Sequence, residues 1–303
     1  MRICTFLPSA TEIVYLLGLG DSLHGVSHEC DFPPDAVAKP KVVRSRFDPD
    51  TLSSSEIDKL VTEMMMRGEN IYEVDEDTLT EAQPDLVITQ QLCEVCAVSF
   101  EEVQQAVQSL DSPPEVLSLD PHGIDDVLDD ILRVGAHTGR SSSAHHAVFN
   151  LRARIDSVRR SLAQAENTPT VACIEWLDPV IAAGHWIPEM VKIAGGRDVL
   201  VSPGSQSPRL DMQKLLDADP DVLVLMPCGM NVAQARAEFD VLTNRSEWQE
   251  MSAVRNGRTY VVDSGALFSR SGPRLVDGLE IMARIMHPDL FSDPAPEEFY
   301  VRL

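Results

Sequence analysis

One ten-residue pattern occurs twice in the chain and limits the possible folds more than any other feature. Leu79-Thr80-Glu81-Ala82-Gln83-Pro84-Asp85-Leu86-Val87-Ile88 lines up with Leu215-Leu216-Asp217-Ala218-Asp219-Pro220-Asp221-Val222-Leu223-Val224. In each copy a short helical pattern runs into a Pro-Asp turn, and the apolar run that follows reads as a fully buried strand. Proline ends the helix, because it lacks the amide proton and pushes the residue before it out of the helical region. A strand buried on both faces needs helices on both sides, which is the arrangement of a parallel α/β sheet. Two copies therefore predict two similar α/β lobes.

The rest of the chain fits that plan. In the first half, 3–7 reads as a strand, and Ser9-Ala10-Thr11-Glu12 as a capping box opening a helix that stops at Gly18-Leu19-Gly20. A second strand over 23–27 leads into His28-Glu29-Cys30-Asp31 and the breaker Pro33-Pro34. Ser53-Ser54-Ser55-Glu56 is a second capping box, and Met64-Met65-Met66 further along that helix reads as core filler. A short strand over 71–74, a helix over 75–83, the strand at 85–89, a helix over 100–110 capped by Ser99 and a strand over 116–119 follow. A helical pattern through Ile124, Leu132 and Val134 precedes another over 144–165, polar on most faces and without a strand partner, as in a helix that spans two domains. Strands over 170–175 and 259–262, helices over 188–194 and 274–286, and the repeated unit between them make the second half. The boundaries predicted are an N-terminal lobe over 1–140, a bridging helix over 141–167 and a C-terminal lobe over 168–303.

Charge excludes some partners. With 48 acidic against 25 basic residues the net charge is −23, which repels nucleic acid and anionic lipid. No run approaches the ~20 apolar residues of a membrane span. The N-terminus enters a strand without a basic segment, an apolar stretch and a cleavage site, so the sequence as written is expected in the cytoplasm, and outside it if a signal segment has been removed. A monomer is expected. Six cysteines in 303 residues point, in a reducing compartment, to buried, metal-binding or redox thiols rather than a disulfide framework.

Ligands of open α/β sheets bind beyond the carboxyl ends of strands. There the chain places Gln90-Gln91-Leu92-Cys93-Glu94-Val95-Cys96, with two thiols three residues apart, and Cys30 after the second strand. Such a pair can grip one ion or close a short ring, and Cys30 with His28 or Cys228 would complete a tetrahedral zinc or iron–sulfur site. Direct contact with a bound cofactor's metal, redox exchange and plain packing stay open for Cys30, Cys93 and Cys96. Cys4 and Cys173 lie inside strands and read as packing. In the second half, strand ends carry Trp176, Gly184-His185-Trp186, Cys228-Gly229 and the segment Ser264 through Arg270. Aromatics make up only 5% of the chain, so Trp176, Trp186 and Phe268 at such positions are candidates to bury a flat apolar ligand, with His185 and Arg270 beside them. His145 and His146 fall on the long helix and read as solvent-facing. There is no G-x-S-x-G elbow or phosphate loop, and Gly18-Leu19-Gly20 lacks the third glycine of a dinucleotide fingerprint.

Pro8-Ser9-Ala10-Thr11-Glu12, Leu17-Gly18, Gly25-Val26, the paired Pro-Asp strands, Ala194-Gly195-Gly196 and the long central helix resemble the cobalamin- and iron-siderophore-binding proteins of ABC importers. The segments around Cys30, Cys93-Glu94-Val95-Cys96 and Phe268-Ser269-Arg270-Ser271-Gly272-Pro273-Arg274 are similar to a subgroup called cobalamin-binding. The resemblance implies a periplasmic-binding-protein-like fold of two α/β lobes joined by one long helix, with a ligand held between them and no chemistry performed. It implies cobalamin as that ligand, with Ser9, Trp176, His185, Trp186, Phe268 and Arg270 binding it, and an ABC permease as partner. The acid seven positions before each Pro-Asp turn would dock on that permease. In the first copy it is Asp77, beside Glu76, and in the second the position is Gln213, beside Lys214. The alternative is a cytosolic zinc, iron–sulfur or thiol redox protein using Cys93 and Cys96 on the same scaffold.

Overall fold

The computed structural model describes residues 1–90, 98–244, 246–291, 296 and 298–303. Cys93 and Cys96 lie outside the described residues. The chain divides into two compact units. One comprises Met1–Leu52, Lys59–Pro121 and Asp125–Phe149; the other comprises Ser53–Asp58, His122–Ile124 and Asn150–Leu303.

Strands and helices largely alternate along the chain. They are β1 (Ile3–Thr5), α1 (Pro8–Leu16), β2 (Leu23–Ser27), β3 (Lys41–Ser45), α2 (Ser54–Met66), β4 (Tyr72–Val74), α3 (Glu76–Ala82), β5 (Leu86–Thr89), α4 (Phe100–Gln108), β6 (Glu115–Ser118), α5 (Ile124–His137) and α6 (Ser141–Leu162). Next come β7 (Thr170–Leu177), β8 (Val180–Ala182), α7 (Ile187–Ile193), β9 (Arg197–Asp198), α8 (Met212–Ala218), β10 (Val222–Leu225), α9 (Val232–Ala237), α10 (Asp240–Thr243), α11 (Ser252–Arg255), β11 (Thr259–Val262), α12 (Ser264–Leu267), α13 (Leu275–Met286) and β12 (Tyr300–Arg302). Among the described residues no helix is long and apolar enough to cross a membrane.

In the first unit the sheet order is β4-β3-β2-β1-β5-β6, parallel except for the β3–β4 pair. Its central strands are buried on both faces, as the apolar runs foretell: Ile3, Cys4, Val87 and Ile88 are 0% exposed. Gly25 lies opposite Cys4 in the ladder, and a Cβ there would stand 2.4 Å from Val42 Cγ1 and 2.9 Å from Cys4 Sγ. Only glycine lets β3 pack at that point. Fully burying each Val, Leu or Ile of this core contributes about 1.5–3 kcal/mol.

The second unit repeats the plan around the order β12-β11-β10-β7-β8, with β9 also pairing β7. Its core includes Ala172, Ile174, Leu223, Leu225 and Trp248, against whose ring Phe239 packs edge-on at 5.5 Å. The repeat read from the sequence is closely matched in the backbone. Asp75 and Asp211 cap the repeated helices by accepting Thr78 N–H at 2.8 Å and Gln213 N–H at 3.2 Å. Both helices end on a left-handed residue, Gln83 at φ 41 and Asp219 at φ 34. Both turn aspartates then fasten the neighbouring β-chain, Asp85 accepting Arg2 N–H at 2.7 Å and Asp221 accepting Thr170 N–H at 2.8 Å.

Four local expectations are corrected. Ser9 is not an N-cap: α1 starts at Pro8, whose fixed φ suits the first helical position, and Ser9 and Glu12 are buried inside it. Met64 is buried, but Met65 and Met66 are 48% and 75% exposed, because the helix turns those positions away from the core. The first strand of the second half runs on through Trp176 to Leu177, because β8 returns antiparallel against it after the Asp178-Pro179 turn. The Ser264–Arg270 segment begins as the short helix α12, capped by Asp263, whose carboxylate accepts Ala266 N–H at 2.8 Å.

Candidate functional site

In the first unit the strand order reverses between β1 and β5, so the carboxyl ends of those two strands flank a switch point of the kind where α/β sheets bind ligands. β1 leads within two residues into α1, placing Ser9 there, 2% exposed. Cys30, after β2, joins a buried chain of hydroxyls. Its Sγ lies 3.0 Å from Thr11 Oγ1, and Thr11 Oγ1 lies 2.6 Å from Thr5 Oγ1. Lys41 Nζ donates to the Cys30 carbonyl at 3.4 Å, and desolvation pushes its ammonium below the ordinary value despite attraction from Cys30 and Asp31. His28 tilts against the Tyr72 ring at 5.6 Å, and burial lowers its pKa although Glu29 pulls the other way.

Among the described residues this arrangement forms no metal centre. Among the described residues no group of three or more His, Cys, Asp or Glu side chains could hold an ion. Cys30 bonds Thr11 instead, and Cys228 is exposed in the second unit, its N–H donating to Glu175 O at 2.9 Å. Cys93 and Cys96, the remaining thiols of that proposal, are among the residues not described. Cys4 and Cys173 are packed into strands, and burial pushes the Cys4 thiol up to about 12 and the Cys173 thiol upward too. Neither is a nucleophile at neutral pH.

In the second unit Trp176 lies near the end of β7, His185 and Trp186 follow β8, Cys228 follows β10, and Phe268 and Arg270 follow β11 and α12. Gly184 lies so close to the 205–207 backbone that a Cβ would stand 2.5 Å from Ser205 O. That approach holds the next residue, His185, in the left-handed region at φ 54, with its N–H donating to Ser205 O at 2.7 Å. A non-glycine residue held there is strained by its surroundings, as residues at ligand sites often are. Burial, and secondarily His122, lower the His185 pKa. The imidazole is therefore neutral at neutral pH, the form able to accept a hydrogen bond or ligate a metal.

The three aromatics differ in access. Trp186 is 8% exposed and its Nε1–H donates to Phe268 O at 2.8 Å, while Phe268 is 2% exposed, with a ring that a Cβ on Gly278 would meet at 3.0 Å. Trp176 is half-buried and its Nε1–H donates to Ser54 O at 3.1 Å. Arg270, two positions after Phe268, is half-buried. The β10 and β11 loops are joined, Gly229 N–H donating to Ser269 Oγ at 3.1 Å and Ser269 Oγ meeting Ser264 Oγ at 2.7 Å. A cavity of about 410 Å³ in this unit is lined by Arg159, Glu189, Lys192, Ile193 and Pro203, and none of the predicted ligand-binding side chains reaches it.

Sequence reasoning missed several residues around Trp176. Ser54 N–H donates to both Glu238 carboxylate oxygens, at 2.9 and 3.2 Å, and Arg209 clasps Asp58 at 2.7 and 3.2 Å. No sequence signal announces pairs so far apart. The docking candidates Glu76 and Asp77 are exposed in the first turn of α3; at the equivalent of Asp77, Gln213 is exposed and donates to Asp217 at 2.8 Å.

Comparison with known proteins adds to this geometry. The family model described as periplasmic binding protein matches residues 3–266. A vitamin B12-binding protein of Vibrio cholerae is 24% identical over 291 residues, 92% of this chain and 86% of its own length. An ABC transporter substrate-binding lipoprotein of Bacillus subtilis is 23% identical over 299 residues, 96% of this chain and 82% of the relative. Among solved structures, a periplasmic heme-binding protein from Pseudomonas aeruginosa superposes with a TM-score of 0.73 at 19% identity, covering 95% of this chain and 92% of the other.

Proposed function

Since this chain belongs to the periplasmic binding protein family, of the class that takes cobalamin and iron chelates, we propose that it captures a flat metal tetrapyrrole, cobalamin first, for an ABC importer. The family consists of substrate-binding proteins rather than enzymes, and the thiol redox alternative has no support from it. Its members include periplasmic and lipoprotein substrate-binding proteins, an extracytoplasmic family, which leaves the cytoplasmic placement expected above unsupported.

The observation that carries the ligand reading is the linking of the segments that hold Trp176, His185 and Arg270, in a chain poor in aromatics: Cys228 N–H donates to Glu175 O at 2.9 Å, Gly229 N–H to Ser269 Oγ at 3.1 Å and Trp186 Nε1–H to Phe268 O at 2.8 Å. A corrin or porphyrin is a wide apolar plate with a polar fringe, which an indole face covers and a guanidinium or imidazole can meet at its edge. In the second unit Trp186 and Phe268 lie behind the site as support for the loop rather than as open faces, and in the first unit Ser9 at the switch point is proposed as a ligand contact of its own. A neutral His185 would favour a ligand whose metal has a free axial position, which is the observation favouring haem as the second reading. Glu76 and Asp77 are proposed to meet a basic permease surface. Titration of the purified protein with cyanocobalamin and with haemin, followed by absorbance, tests the reading. Saturable spectral change at micromolar concentration with one of them is expected, and no change and no thermal shift with either would sink it.

A further inference from the structure

We infer that Glu238 and Arg209 are positioning residues for Trp176, acting through the first turn of α2. The inference rests on the ligand reading above, in which Trp176 supplies the accessible aromatic face.

The observations are all within the second unit, to which residues 53–58 belong. Ser54 is 1% exposed, and it is where two bonds meet. Its N–H is one of the helix-start amides that lack an intrahelical acceptor, and the Glu238 carboxylate takes it with both oxygens. Its carbonyl accepts the Trp176 indole N–H at 3.1 Å. The helix provides a cap of its own through the box Ser53 expected from the sequence, Ser53 N–H donating to Glu56 Oε2 at 2.9 Å. Glu238 is thus not needed to start the helix. It anchors the turn to the second unit.

Arg209 fixes the other end of that turn by its paired bonds to Asp58. Such two-pronged guanidinium–carboxylate pairing fixes orientation as well as distance. The backbone of Arg209 bridges Ile181, and Ile181 lies opposite Trp176 in the β7–β8 ladder. One side chain therefore ties the turn of α2 to the same hairpin that carries Trp176. The indole is held from both directions, its backbone by β8 and its N–H by Ser54. A ring whose polar edge is occupied in this way presents its face in one pose, and a site already ordered loses less freedom when a ligand binds.

The test reads the indole N–H resonance of Trp176 in ligand-free protein, assigned by its loss in Trp176→Phe. In Glu238→Ala and in Arg209→Ala that resonance should shift, and its exchange with solvent should speed roughly tenfold, the change expected from losing one charge-assisted hydrogen bond. The Trp186 and Trp248 resonances should stay in place. Glu238→Gln, whose amide oxygen still accepts from Ser54, should restore most of the native behaviour. An unchanged Trp176 resonance in both alanine variants overturns the inference, as does equal movement of all three tryptophans, which would mark a general loss of structure. In parallel, Glu238→Ala should weaken whichever of cyanocobalamin and haemin the native protein binds by roughly tenfold. If the native protein binds neither, the ligand reading fails while the resonance arm still decides the positioning.

Discussion

Replacing Asp130 by Asn should stabilise the protein, and only above mildly acidic pH. Asp130 sits in α5 with 4% of its surface exposed; Oδ1 accepts from Arg133 Nη1 at 2.7 Å, while Oδ2 has no hydrogen-bond partner. Burial of the charge raises its pKa from the ordinary 3.8 to about 6, with Arg133 opposing and Asp120 and Asp126 adding repulsion. A raised carboxyl pKa means that the folded state holds the proton more tightly than the unfolded chain. Stability is therefore lost as pH rises through the window between those two values, and the full cost applies above about 6. Two pKa units correspond to about 3 kcal/mol. The amide keeps an oxygen for Arg133 but buries an N–H₂ group in place of Oδ2, which returns roughly 1 kcal/mol of the gain. Asp130→Asn should thus exceed the native protein by about 2 kcal/mol at pH 7.5, or about 5 °C in melting temperature, and the difference should vanish near pH 4. Denaturant titrations followed by circular dichroism at pH 4, 6 and 7.5 measure it, with the exposed neighbour Asp129→Asn as a control for surface charge. A gap that stays constant across the three pH values, or a native protein that is the more stable at pH 7.5, would refute the reasoning.

Three other outcomes are expected. Trp176→Ala should weaken binding of the preferred tetrapyrrole roughly tenfold in an absorbance titration, because one aromatic face contributes about 1–2 kcal/mol; an unchanged affinity would remove Trp176 from the site. Glu76→Lys together with Asp77→Lys should leave ligand affinity unchanged and reduce importer-dependent uptake several-fold in reconstituted vesicles, whereas uptake equal to native would count against docking through α3. Gly25→Ala should cost about 1–3 kcal/mol in denaturant titration, since its Cβ would overlap Val42 and Cys4; a neutral result would mean that β3 can move aside at no cost.

The parts of the fold that were legible in the sequence are those set by local chemistry. The strand at Leu23–Ser27, the Ser99 cap with its bond to Glu102 N–H at 3.3 Å, and the Ser53–Glu56 box need only neighbouring residues. The errors arise where a distant partner decides. Ser9 read as a cap because its spacing to Glu12 fits the box, yet Pro8 already starts the helix. Trp176 read as lying past a strand over 170–175, yet β8 folds back and extends β7. Trp186 and Phe268 read from residue type as ligand-facing aromatics, yet both are buried, Phe268 against α13, whose Gly278 admits its ring. The residue types at the candidate site were readable and their exposure was not, because exposure belongs to packing between elements far apart in the chain.

The duplication argues where function resides. Asp75 and Asp211, Gln83 and Asp219, and Asp85 and Asp221 do the same work in each unit, because a capped helix, a left-handed exit and a fastened turn are what any such unit needs to fold. Features that serve folding appear twice. By contrast, Trp176, the strained His185, the Thr5–Thr11–Cys30 chain and the exposed pair Glu76 and Asp77 each appear in one unit alone, and no folding requirement common to both explains them. A feature that breaks an internal repeat without repairing the fold is a candidate for recognition. Graft experiments follow from this: exchanging the repeated turns between units should leave binding intact, whereas exchanging the loop at 183–186 for the corresponding strand-end loop of the first unit should abolish it.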